Sequence, residues 1–221
     1  MSRTKLKKFK KISNMPHVIQ PKRSELLNDE FTLKGKWSVH FGNNYPICLE
    51  LGCGKGEYTV ALAKANPKVN YIGIDIKGSR IYSGAEIVRT ENLPNVIFIR
   101  TQIEYVVSLF NKDEVNEIWI TFPDPQLKYN RRRKRLVHSS MLNKYQKILN
   151  DSGVVHLKTD SLFLHGYALG ILENGPYKIL HSIHDLYRNK PREMSLNIKT
   201  YYEQIFLNDH QPITYLAFSF L

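Results

Sequence analysis

Hydrophobic and polar positions follow two periods along most of this chain. A short apolar run, ICLEL (47–51), ends in a glycine-rich turn, and over Glu57 to Asn66 the residues Tyr58, Ala61, Leu62 and Ala65 recur at helical spacing. NYIGID (70–75) reads as a second strand, and the segment after it places Ile81, Ala85 and Val88 on one helical face. NVIFIR (95–100) and EIWITF (117–122) are the third and fourth strands, with a short helix over 103–110 between them. Ser139 or Ser140 stands where it would cap a helix whose Met141, Tyr145, Ile148 and Leu149 face inward. GVVHLK (153–158) is a fifth strand, and Leu164, Tyr167, Ala168, Ile171 and Leu172 mark the next helix. YKILHSI (177–183) and PITYLAFSF (212–220) are two final strands joined by a polar segment. Strands alternating with amphipathic helices predict an α/β fold, a mostly parallel sheet with helices on both faces. The last two strands lack a clear crossover helix and predict an antiparallel hairpin at one edge. Residues 12 to 46 show little periodicity and read as an extension packed on a core. The expected division is a basic extension, 1–34, flexible at its start, and a domain over 35–221.

Composition narrows the class. The chain has 221 residues, of which 42% are hydrophobic, enough for one large core. No apolar run reaches the roughly 18 residues of a membrane span, and no secretory h-region is visible. Cys48 and Cys53 suggest no disulfide framework, so the cytoplasm is the expected compartment. The formal net charge is +12, which favours an anionic partner. No basic stretch carries an obvious apolar face, so nucleic acid is the better match than a membrane. The opening MSRTKLKKFKK holds six basic residues and no acid, a block expected to repel itself and stay disordered until it meets a partner. It reads either as an arm touching RNA phosphates or as a solvated tail.

Ligands of such sheets sit outside the carboxyl ends of the strands, here the turns after residues 51, 75, 100, 122 and 158. The first of these, LELGCGKGEY, offers Gly52, Gly54 and Gly56. The dinucleotide fingerprint needs its third glycine one place later, where Glu57 stands, so a pyrophosphate cofactor is disfavoured. Glu50, just before the turn, would repel a pyrophosphate and attract a cation. S-adenosylmethionine carries a sulfonium and an ammonium and no phosphate, and it fits this turn better. Asp75 ends the second strand, where a carboxylate accepts both hydroxyls of a ribose. Gln102, after the third strand, has two readings, a partner for an adenine edge or an exposed loop residue.

The fourth strand runs into ITFPDPQLKYNRRRKRL (120–136), which sets Asp124 between two prolines beside a dense basic run. The prolines fix φ on either side, and the loop faces the point where a cofactor methyl group should lie. Arg131, Arg132, Arg133, Lys134 and Arg135 suit phosphate contacts. Methylation of an exocyclic amine needs carbonyl or amide acceptors, supplied in the adenine and cytosine amine methyltransferases by an [N/D]-P-P-[Y/F] turn. Here the order is Pro-Asp-Pro-Gln. Guanine N7 is a bare lone pair with no proton to lose, and its methylation makes the ring cationic. A fixed carboxylate beside it stabilises that charge.

Four ordered segments, Glu50–Gly56, Phe122–Leu136, GVVHLKTD (153–160) and TYYE (200–203), resemble the bacterial tRNA (guanine-N7-)-methyltransferase family, with similarity from about residue 35 to 221. The resemblance implies the seven-stranded Rossmann-like class I methyltransferase fold. It implies that Glu50, Asp75, Gln102 and Asp124 contact S-adenosylmethionine, that Asp124 is catalytic, and that the product cofactor is S-adenosylhomocysteine. Lys128, Asp160 and Thr200, Tyr201, Tyr202 and Glu203 match substrate-binding positions, and Asn130 to Arg135 match the RNA-contacting stretch. The methylated base would be a guanine of the tRNA variable loop, position 46 in tRNA numbering. Many relatives read F-P-D-P-W-x-K-K, whereas this chain has Gln126 and Tyr129; Gln102 stands where Asp is common, and Ile205 where a basic residue is common.

Asp160 and Glu203, as acceptors, suit the N1–H and N2–H₂ donors of guanine; Asp160 also reads as the cap of the helix near Ser161. Thr200 is a substrate contact or a loop hydroxyl, and Tyr201 and Tyr202 stack on a base or pack. His156, inside an apolar strand, reads as a core residue. The expected partner is tRNA, without metal, membrane or obligatory protein partner, the chain being a monomer or homodimer. The competing readings are a non-catalytic RNA-binding module on a vestigial Rossmann core and a methyltransferase for another acceptor.

Overall fold

A computed structural model describes residues 3–188 and 193–221. The chain opens with helix α1 (Arg3–Ile12), a two-residue strand β1 (Val18–Ile19) and short helices α2 (Arg23–Leu27) and α3 (Trp37–Phe41). Strands β2 (Ile47–Leu51), β3 (Asn70–Asp75), β4 (Val96–Arg100), β5 (Val115–Thr121) and β6 (Leu149–Thr159) follow, with helices α4 (Glu57–Ala65), α5 (Gly78–Glu91), α6 (Val106–Leu109) and α7 (Ser139–Gln146) between them. Helix α8 (Leu162–Glu173), β7 (Tyr177–Ile183), α9 (Met194–Asn197), α10 (Tyr201–Asn208) and β8 (Thr214–Phe220) complete it.

The sheet has eight strands in the order β1-β4-β3-β2-β5-β6-β8-β7. Its first six strands are parallel, and β8 runs antiparallel between β6 and β7, forming the expected edge hairpin. The eighth strand, absent from the seven-stranded expectation, is β1. It pairs with β4 through Val18↔Phe98 and Ile19↔Ile99, and two residues are too few to leave a period in the sequence. Both faces of the sheet are buried, as helices on each side require. Cys48 and Leu49, consecutive on β2, lie in opposite core layers, the first with Tyr71 and Trp119 and the second with Ile72 and Ile118.

The opening basic stretch departs from its expected disorder by forming α1, with Met1 and Ser2 outside the described residues. Phe9 and Ile12, one turn apart, supply an apolar stripe against α5; a Cβ on Gly78 would meet Ile12 Cδ1 at 2.7 Å and Phe9 Cε1 at 2.9 Å. The expected serine cap of α7 is also corrected. His138 takes the extended cap conformation, and its Nδ1 accepts from Ser140 N at 3.1 Å. The polar segment before β8 contains α9 and α10. Among the described residues no helix is long and apolar enough to cross a membrane.

Candidate active site

The glycine turn after β2 is strapped to β3, because Gly52 N and Cys53 N both donate to Ile74 O, at 2.8 and 3.2 Å. Gly52 has φ 82° and Gly56 φ 72°, a region that side chains rarely tolerate. The two glycines differ in what surrounds them. A Cβ on Gly56 would lie 2.5 Å from Phe98 Cζ, so this glycine lets the start of α4 close on the sheet. A Cβ on Gly52 would meet nothing nearer than 3.8 Å, so this glycine leaves open space above the turn.

Glu50 is buried beneath that space. Its Oε2 accepts from Thr59 N at 2.8 Å and from the Thr59 hydroxyl, and its Oε1 accepts from Thr121 Oγ1 at 2.7 Å. Burial pushes its carboxyl up to about 7 against the pull of these hydrogen bonds. The site therefore holds a carboxylate that only partly ionises until a positive charge joins it. Thr59 and Thr121 were not legible as site residues, since nothing separates them locally from other threonines.

Asp75 closes β3, and its carboxylate is pinned by two backbone donors, Gly54 N to Oδ2 at 2.9 Å and Lys77 N to Oδ1 at 2.7 Å. Each oxygen keeps a lone pair for a hydroxyl. Asp75, Gln102, Asp124 and Gly52 line one cleft of about 370 Å³, together with Arg80 and Lys134. A second chamber, lined by Glu50, Gly52, Gly54, Lys55, Thr200 and Tyr202, adjoins the first and shares Gly52, Arg80 and Phe122 with it. Arg80 was missed in the sequence, although a cation in the first turn after Asp75 was a usable signal.

The loop after β5 is more constrained than its prolines alone require. Phe122 and Gln126 both have φ 47°, which costs a non-glycine residue about 1–2 kcal/mol each. Phe122 N donates to Lys158 O at 2.8 Å, and the Phe122 ring stacks on Phe206 of α10 at 5.9 Å. Asp124 Oδ1 accepts from Gln126 N at 3.0 Å, a local turn that holds Gln126 in its left-handed state. The Asp124 side chain is exposed to the cleft, and no lysine or arginine ion-pairs with it among the described residues.

The basic run divides by exposure. Lys128, Asn130, Arg131, Arg133 and Lys134 are exposed, and Arg132 lies over the Tyr129 ring at 4.0 Å. Arg135 departs from the expected RNA-contacting role because it is buried. It donates to Pro125 O at 3.2 Å and Gln126 O at 3.0 Å, and its guanidinium faces the Tyr167 ring at 4.2 Å. It clamps the Asp124 loop from below.

Glu203 is likewise corrected as a base-edge acceptor, since it is fully buried. Its Oε1 meets Lys158 Nζ at 2.7 Å and accepts from Tyr187 Oη at 2.6 Å, and its Oε2 accepts from Thr200 N at 3.3 Å. Thr200 returns the bond from Glu203 N at 3.3 Å, a capping box that starts α10. Lys158 also donates to Leu196 O and Ile198 O, at 3.0 and 2.9 Å. Tyr201 N donates to Glu57 Oε2 at 2.8 Å, and Lys55 Nζ sits 4.3 Å over the Tyr201 ring, which fastens α10 to the glycine turn. Asp160 follows β6, half-buried, with burial pushing its carboxyl up; it lines neither chamber, and Ser161 rather than Asp160 caps α8. His156 stacks on Trp119 at 4.1 Å and 9°, within the sheet.

The family model described as "Putative methyltransferase" matches residues 44–216. The tRNA (guanine-N(7)-)-methyltransferase of Christiangramia forsetii is 52% identical over 220 residues, 98% of each chain. That of Bacteroides thetaiotaomicron is 42% identical over 99% of this chain and 86% of its own. Among solved structures, the 16S rRNA (adenine(1408)-N(1))-methyltransferase from Catenulisporales acidiphilia matches with a TM-score of 0.61 at 12% identity, over 85% of this chain and 93% of that one. A SAM dependent methyltransferase from Aquifex aeolicus matches with a TM-score of 0.56 at 14% identity, over 96% and 98%. At such identities the structures share the fold alone, whereas the sequence relatives decide the family. The chain belongs to the tRNA (guanine-N(7)-)-methyltransferase family.

Proposed function

We propose that this protein transfers a methyl group from S-adenosylmethionine to N7 of a guanine in the variable loop of tRNA, position 46, in the cytoplasm. The observation that carries the reading is the shared cleft of Asp75, Gln102 and Asp124, at the carboxyl ends of three parallel strands. The residues fit the cofactor: open space over Gly52, free lone pairs on Asp75 for a ribose, and the partly ionised Glu50 beneath for a cation. Bound there, S-adenosylmethionine supplies a methyl group on a positively charged sulfur.

Asp124 holds a carboxylate in fixed orientation where the acceptor base must enter. A guanine attacking through N7 becomes positively charged as the methyl arrives, and a negative charge within the cleft favours that change over the ground state. No proton leaves N7, so the chemistry asks no base of this chain, and the half-buried His156 is taken up in a stack on Trp119. Thr200 and Tyr202, on the wall of the Glu50 chamber, are the nearest candidates to contact the base, and the exposed Tyr201 offers a stacking face beside them. Lys128, Asn130 and Arg131 to Lys134 would take backbone phosphates, with Asp160 an acceptor at the margin. Base-resolution mapping of the methyl group on unmodified tRNA tests the reading; product at an exocyclic amine or a ribose oxygen would refute it.

A further inference from the structure

A third cleft, of about 460 Å³, adjoins the cofactor cleft and shares Ile76, Thr101 and Gln102 with it. Lys22, Arg23 and Arg100 line it, and no carboxylate does. None of the three forms an ion pair among the described residues. Each guanidinium is held in place by a neutral partner. Arg100 donates through Nη1 to Gln20 Oε1 at 3.0 Å and lies 4.6 Å over the Phe9 ring, while its buried Nε has no partner. Arg23 donates through Nε to the Tyr105 hydroxyl at 3.2 Å. Neutral anchors orient these cations without neutralising them, the arrangement an anion site needs. S-adenosylmethionine has no phosphate, and its one carboxylate belongs to the methionine end, which the reading above seats over Glu50 and away from this cleft, so it is not the complement of these cations.

We infer that this cleft, which Lys134 does not line, seats backbone phosphates of the RNA substrate. The inference rests on the tRNA reading above and extends it to a surface that reading leaves unused. Arg100 also ties the cleft wall to α1 through its contact with the Phe9 ring, and Lys7 and Lys10 on that helix are exposed. The RNA would thus be gripped on both flanks of the cofactor cleft, by the 128–134 loop on one side and by α1, Lys22, Arg23 and Arg100 on the other. Two flanks fix the orientation of an acceptor base where one basic loop would leave it free to pivot.

The test compares the wild type with the double variant Lys22→Gln, Arg23→Gln, both exposed positions, using unmodified tRNA transcript, S-adenosylmethionine and ADP as separate ligands. Loss of two phosphate contacts should weaken tRNA binding about 10-fold near 0.1 M salt and make the log–log salt slope less negative by about 1.5. Affinity for S-adenosylmethionine should stay within about twofold. Unchanged tRNA affinity and slope would overturn the inference, and so would a loss of S-adenosylmethionine affinity with the slope unchanged. ADP binding that the variant abolishes, with tRNA binding intact, would assign the cleft to a free nucleotide and overturn it too. These readouts are equilibrium binding, so a failure of the N7 assignment in product mapping is distinguishable from a failure here.

Discussion

Lys158 Nζ and Glu203 Oε1 stand 2.7 Å apart with both side chains fully buried. The pair joins the carboxyl end of β6 to the first turn of α10, whose Thr200 and Tyr202 wall the Glu50 chamber. Its geometry makes Glu203 a positioning residue for Thr200 and Tyr202. Desolvation lowers the Lys158 ammonium and the adjacent carboxylate opposes that shift, so each charge depends on the other.

Glu203→Gln should destabilise the fold by about 3–5 kcal/mol, because it strands a buried ammonium. Urea unfolding checks this, and adding Lys158→Met should recover part of the loss. An unchanged midpoint with a raised KM for tRNA would instead make Glu203 a reader of the base.

Neighbouring arginines should separate by role. Arg131→Gln with Arg133→Gln should make the salt slope of tRNA binding less negative by about 1.5 and leave stability alone. Arg135→Gln should leave the slope alone and lower stability by about 1–3 kcal/mol, because Pro125 O and Gln126 O lose their donors. Salt titrations and unfolding curves on both variants decide it.

The glycines of the turn should separate as well. Gly56→Ala meets both a positive φ and the Phe98 ring, so it should lower the melting temperature markedly. Gly52→Ala carries the backbone cost alone, about 1–2 kcal/mol, but its methyl intrudes on the cofactor space. It should weaken S-adenosylmethionine binding by calorimetry more than it lowers the melting temperature.

Burial raises the Glu50 carboxyl from 4.5 to about 7. A group raised on folding contributes stability that is fully present below its unfolded value and is lost as pH rises through its folded value. The Glu50 contribution should therefore decline between pH 4.5 and 7, and Glu50→Gln should flatten that part of the stability profile. A cation bound above Glu50 favours its ionised form, so S-adenosylmethionine should bind more tightly as pH rises from about 6 to 8, releasing a fraction of a proton. Calorimetry in buffers of different ionisation enthalpy measures that release.

Much of the candidate cleft was legible because the residues lining it sit at strand ends. The limits of 47–51, 70–75 and 177–183 emerged from hydrophobic runs alone; Glu50 and Asp75 stand near or at the ends of the first two, and Asp124 stands just past the strand read at 117–122. What stayed hidden depends on distant partners. Arg135 looks like its exposed neighbours until Tyr167, thirty-two residues on, covers it, and Glu203 looks like a free acid until Lys158 meets it. The α1 helix was masked by its charge, although Phe9 and Ile12 already marked an apolar stripe.

The most direct test of the mechanism is single-turnover methyl transfer by Asp124→Asn, with the product mapped at base resolution and the affinities for tRNA and S-adenosylmethionine measured alongside. A neutral side chain of the same shape keeps the turn to Gln126 but removes the charge that the proposed mechanism sets beside N7. The expected result is a rate at least about 100-fold lower, the scale of losing an oriented electrostatic stabiliser, with tRNA affinity within a few-fold of wild type and residual product still at guanine N7. An undiminished rate, or a loss that appears equally in tRNA affinity, would contradict the account.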